Sequence, residues 1–118
     1  MIGKLHGTVV DCKNPRELAK FYAELLGYMV VQSEAEWAVI GDSPDRPGIA
    51  FQFIENFQAP IWPAGDIPTQ IHFDIRVEDF DRAFAEVETL GGKLLSKSSD
   101  NFWVCVDPEG HPFCIIKQ

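Results

Sequence analysis

Alternation of apolar and polar residues is clearest between Ile71 and Val77. There Ile71, Phe73, Ile75 and Val77 alternate with His72, Asp74, Arg76 and Glu78. Period two gives a strand one apolar and one polar face. The period then lengthens. Asp79 is a good N-cap, Asp81 lies early in the first turn where the helix dipole favours an acid, and Phe80, Ala83, Phe84, Val87 and Leu90 share one helical stripe. Gly91 and Gly92 stop that helix. Residues 69–95 thus predict strand, helix, strand, with the helix covering the apolar side of its strand. The other side carries His72, Asp74 and Arg76, a polar face that needs water or a ligand.

The same plan occurs earlier in the chain. Asn14 as N-cap, Pro15 at the first helical position and Glu17 at the third open a helix over 15–26. Leu18, Phe21, Tyr22, Leu25 and Leu26 form its stripe, and Gly27 ends it. Sixty-five residues on, Asn14 falls on Asp79, Leu18 on Ala83, Tyr22 on Val87, Leu25 on Leu90 and Gly27 on Gly92. Residues 48–54, GIAFQFI, resemble 110–116, GHPFCII. Two copies of one strand–helix–strand–strand–strand unit are predicted, at about 1–57 and 68–118.

Within the first copy, strands are predicted at 5–11, 28–33, 36–40 and 49–54, with 41–48 a turn-rich loop holding Pro44 and Pro47. The repeat offset sets Gly7 opposite His72, and a slip of one residue would substitute His6 or Thr8. In the second copy the later strands fall at 93–96, 102–106 and 113–117, and Asp107-Pro-Glu-Gly110 is a tight turn. The connection over 55–68 holds Trp62 among three prolines. Such connections run over the surface and often carry function.

A chain of 118 residues, 46% hydrophobic and 24% charged, makes one compact domain with an adequate core. Its formal charge of −8 argues against a nucleic-acid backbone or an anionic membrane surface as partner. No apolar run has signal-peptide or bilayer-spanning length. Three cysteines without a CxxC pair fit a reducing compartment, so a cytoplasmic protein is expected.

The paired units, FYAELLG at 21–27, HFD at 72–74 and DPEGHPF at 107–113 resemble the vicinal oxygen chelate superfamily. That superfamily holds glyoxalases, bleomycin-resistance proteins, fosfomycin-resistance enzymes and extradiol dioxygenases; more narrowly, the chain looks like its small bacterial glyoxalase-like domain proteins. The resemblance implies an α+β fold, two tandem βαβββ modules whose curved mixed sheet surrounds a cup, usually in a homodimer. It also implies a divalent metal held by His, Gln or Glu from the first and last strands of each module. Carried over, those positions are His72, Cys114 where the family usually has Glu, Gln52, and Gly7 or Thr8 with His6 one step off.

A catalytic divalent metal needs about three protein ligands and an open position. The implied set offers His72 and the neutral Gln52, with no carboxylate where family enzymes place theirs; Asp74 and Asp11 contribute only if the strands are staggered differently. Read without a metal, His72 is a hydrogen-bonded side chain on the polar face. Cys105 and Cys114 read as small hydrophobes with raised pKa. His111 reads as a turn residue, and Asp74 and Arg76 as an ion pair or, through Arg76, an anion holder. Trp37, Trp62 and Trp103, with Phe57 and Phe102, would surround or cover the cup, Trp62 as its lid or a partner contact. The expectation is a small-molecule-binding, bleomycin-resistance-like homodimer with a degenerate metal site, no cofactor, and a ligand seat of Trp37, Gln52, Trp62, His72, Asp74, Arg76, Trp103 and Cys114. The alternative is a lyase, isomerase or dioxygenase dependent on zinc, nickel, manganese or iron.

Overall fold

The computed structural model describes residues 1–117. It divides into two compact units, Met1–Phe57 and a second from Gln58 onward. The first contains β1 (Thr8–Cys12), α1 (Pro15–Leu26), β2 (Met29–Ser33), β3 (Trp37–Ser43) and β4 (Arg46–Phe53). The second contains β5 (Phe73–Arg76), α2 (Phe80–Thr89), β6 (Lys93–Ser96), β7 (Phe102–Val106) and β8 (Pro112–Ile116). Each unit is a four-stranded mixed sheet of the same order, β1-β4-β3-β2 and β5-β8-β7-β6. The first and last strands of each unit run parallel, and the others are antiparallel. The fold is therefore α+β, with two βαβββ modules.

Local sequence accounts for the helix ends. Gly27 takes φ 68°, a left-handed conformation that glycine adopts without a Cβ penalty, and Tyr28 N–H closes on Ala23 O at 2.9 Å. Asp79 caps α2 by accepting from Arg82 N–H at 2.8 Å. Asn14 makes no capping bond through its side chain. At Gly92 a Cβ would lie 2.6 Å from Val87 Cγ1, so only glycine permits that approach of chain to helix.

In the first unit α1 packs on β2, β3 and β4, and Tyr22 stacks on Phe51 at 5.6 Å. In the second, α2 packs on β6 and β8, and Val87, Phe113 and Ile115 are fully buried.

Three predicted segments differ from the structure. β1 starts at Thr8, where its ladder with β4 begins, and Leu5 is exposed. Residues 41–48 are not a loop. β3 and β4 continue through them as a hairpin, and Pro47 is accommodated where the ladder register shifts. β5 starts at Phe73, paired with Phe113; Pro112 has no N–H to extend that ladder, and Ile71 is 78% exposed.

The first-strand register also departs from expectation. Asp11 pairs with Gln52, and Asp74 pairs with Cys114. By the match of 48–54 to 110–116, Asp11 corresponds to Asp74 and Val9 to His72, so Gly7, Thr8 and His6 are not the counterparts. Two residues separate Asp11 from Asn14, whereas four separate Asp74 from Asp79. An offset taken from the helices is therefore wrong for the strands by two.

Candidate ligand site in the second unit

β5 and β8 run side by side, and alternation sends Phe73, Ile75, Phe113 and Ile115 one way and His72, Asp74, Cys114 and Ile116 the other. Trp103 belongs to the first group: it stacks on Phe80 of α2 at 4.9 Å, with Lys97 Nζ 4.7 Å from its ring. The second group forms the face opposite the helix. A cavity of about 590 Å³ lies against that face, lined by Trp62, His72, Asp74, Asn101, Phe102, Cys114, Ile116 and Lys117.

The connection ahead of β5 positions Trp62. Ile61 N–H donates to Ile67 O, and Ile61 bridges to Pro68, so the segment folds back on itself. Trp62 is half-buried, its ring edge-to-face with His72 at 5.2 Å between centroids. His72 Nε2 lies 3.3 Å from Asp74 Oδ1, and among the described residues no ion pair joins Asp74 to Arg76. Arg76 follows on the same face beside Ile116.

Cys114 closes the floor of the cavity. Burial, then the negative charge of Asp74 and a hydrogen bond to it, push its thiol up to about 11. Cys105, on the helix side of the sheet, is pushed up to about 11 by burial and by Cys114. Both thiols are therefore protonated at neutral pH, as their strand contexts predict.

One ligand atom from each of His72, Asp74 and Cys114 lies within 4.8 Å of the others. Donors about 2.0–2.3 Å from a tetrahedral ion stand roughly 3.5 Å apart. The side chains of His72 and Asp74 are 35% and 55% exposed, which leaves them room to turn toward a shared ion. The donor set thus fits a divalent metal, with Asp74, expected to contribute only if the strands were staggered differently, standing beside His72 and Cys114 through the β5–β8 register.

Gln52 and Trp37, also expected at the site, belong to the first unit. Gln52 is exposed on β4, opposite Asp11 and Trp37 in the ladders. Trp37 lines a separate cavity of about 520 Å³ in the first unit, with Val9, Val31, Val39 and Ala50. His111 stabilises its turn: its Nδ1 is 2.8 Å from Asp107 Oδ2, and Asp107 Oδ1 accepts from the N–H groups of Glu109 and His111. Asn101 and Lys117 were missed. They flank the last two strands, where Lys117 N–H donates to Asn101 O, and only the ladder brings them to the cavity.

Residues 7–116 match the glyoxalase-like domain family. A glyoxalase/bleomycin resistance protein/dioxygenase family enzyme from Burkholderia phytofirmans is structurally similar, with a TM-score of 0.73, 14% identity and 98% of each chain covered. The fosfomycin resistance protein FosX from Mesorhizobium loti gives a TM-score of 0.68 at 13% identity, over 100% of this chain and 93% of that one. An integron cassette protein from the Halifax Harbour sewage-outfall metagenome gives 0.64 at 23% identity, over 99% and 100%. At such identities the likeness concerns the fold. No curated protein matches by sequence. With its family match spanning nearly the whole chain and its two βαβββ modules, the chain belongs to the glyoxalase-like domain family of the vicinal oxygen chelate superfamily.

Proposed function

We propose that the protein binds a compact, flat organic molecule with an anionic or hydrogen-bonding group on the face of β5, β7 and β8 opposite α2. The observation that carries this reading is the cavity of about 590 Å³, of a size usual for small ligands, lined by Trp62 and Phe102 around the His72–Asp74 pair. Trp62 and Phe102 offer apolar surface, and Asn101 offers a donor to an anion or a carbonyl. Binding without turnover would sequester the molecule, as in bleomycin resistance, and the fosfomycin resistance protein among its structural relatives makes a small toxic compound a reasonable class to test.

A metal-dependent lyase, isomerase or dioxygenase is the second reading, supported by the His72, Asp74 and Cys114 grouping. There the ion would supply Lewis-acid polarisation of substrate oxygens. A homodimer fits the exposed Val9, Met29, Val30, Ile61 and Leu95, and the three free cysteines fit a cytoplasmic location. No helix among the described residues is long and apolar enough to cross a membrane.

The test is a thermal-shift screen of aromatic carboxylates with wild type and Trp62→Ala. Binding should weaken at least tenfold in the variant while its melting temperature without ligand holds. Unchanged affinity, or a variant that no longer folds, would remove Trp62 from the site and the reading with it.

A further inference from the structure

We propose that residues 61–69 form a preassembled flap that opens and closes over the second-unit cavity, with Trp62 as its contact with the site. The proposal rests on the ligand reading above and adds how a molecule enters the cavity and is held there.

The flap is tied to itself more than to the sheet. Ile61 N–H donates to Ile67 O at 2.6 Å, and Ile61 bridges to Pro68, so the two ends of the loop meet. Gly65 packs on the Ile61 side chain so closely that a Cβ there would lie 2.8 Å from Cγ2. A loop whose ends meet and whose own side chains fill it is a compact unit. Pro63, Ala64, Gly65 and Asp66 on its outer side are exposed. Trp62 reaches inward to meet His72 edge-on, at 5.2 Å between centroids.

The chain is held more firmly before the flap than after it. Ala59 is half-buried against Gly110, where a Cβ would lie 2.8 Å from the Ala59 methyl. Gln70 and Ile71 are exposed, Ile71 at 78%, and β5 begins only at Phe73. The pivot is therefore on the β5 side.

One atom marks the closed position as unfavourable. Thr69 Oγ1 is buried and, among the described residues, has no hydrogen-bond partner. A hydroxyl so placed loses water without a replacement, and swinging the loop outward hydrates it. A single ring contact draws the flap inward and an orphaned hydroxyl opposes it, so open and closed forms lie close in free energy. A ligand that touches Trp62 only in the closed form shifts the population toward closure.

The test follows Trp62 in the full chain labelled with fluorotryptophan, by fluorine relaxation dispersion, with Trp62→Phe assigning its signal. Microsecond-to-millisecond exchange is expected at Trp62 and not at Trp37 or Trp103. Thr69→Val keeps the side-chain shape without the orphaned hydroxyl, and should raise the closed-to-open ratio about fivefold or more. Gly65→Ala should crowd Ile61 and raise the open population, and Ile61→Ala added to it should restore the original ratio. Benzoate at saturation should suppress the exchange. No exchange at Trp62, populations unchanged in both Thr69→Val and Gly65→Ala, or benzoate binding that leaves the exchange as it was would overturn the proposal. The variant measurements need no ligand, so the flap and the ligand reading can fail separately.

Discussion

Helix α1 buries Pro15, Leu18, Ala19, Phe21, Tyr22 and Ala23, whereas α2 buries Val87. The first unit sets Val9, Asp11 and Gln52 where the second sets His72, Asp74 and Cys114. Strand order, strand direction and the Phe51–Phe113 core position are alike. The backbone plan is thus held by burial on the helix side. The opposite face is free to vary: it carries Trp37 with Val9, Val39 and Ala50 in one unit and His72, Asp74 and Cys114 with Trp62 in the other. A histidine, a carboxylate and a buried thiol on one sheet face contribute little to packing, and local rules are broken in this way chiefly at functional sites.

The largest expected effects test the shared core. Phe51→Ala and Phe113→Ala should each cost about 3–5 kcal/mol, because both rings are fully buried. Phe51 should cost about 1 kcal/mol more, since it also loses the Tyr22 stack. Urea unfolding measures both; a mild Phe113→Ala would mean the second core is not built like the first.

The turns before the last strands should differ next. Asp107 is 3% exposed and its carboxylate accepts two backbone N–H groups and meets His111. Asp107→Ala should cost about 3 kcal/mol. In the first unit Asp42 pairs with Arg46 at 2.7 Å, but both side chains are exposed, and Asp42→Ala should cost below about 1 kcal/mol. Equal losses on thermal melting would erase this contrast.

A pH series sharpens the comparison through cysteine. Cys105 and Cys114 ionise near 9.0 in the unfolded chain and near 11 in the fold, so the folded state binds more protons between those values. Stability should be full below pH 9.0 and fall as pH rises toward 11. Cys105→Ala should flatten that fall; an unchanged slope would place its origin elsewhere. The smallest contrast is at the caps. Asp79→Ala should cost about 1 kcal/mol and Asn14→Ala less, since only Asp79 caps through its side chain.

Much of the fold was legible in the chain. Asp79, Pro15, Gly27 and Gly92 mark helix ends by local chemistry, and the alternation around Phe73 and Ile75 is local too. The first-strand register was not, because it depends on two added residues between Asp74 and Asp79 that only the ladder exposes. The site was half legible. His72 and Trp62 stood out by type and place, and they do meet. Asp74 as a partner of Cys114 follows from a non-local pairing, and Trp103 lies toward α2 because strand parity in β7 depends on where its hairpin turns. Trp37 lines a cavity of its own unit.

The most direct measurement is an amide-shift titration of the isotopically labelled full chain with the tightest aromatic carboxylate from the screen. Saturable shifts are predicted at Trp62, His72, Asn101, Phe102 and Lys117, which line the second-unit cavity. Shifts gathered instead at Val31, Trp37 and Val39, or none that saturate, would contradict the assignment of function to the second unit.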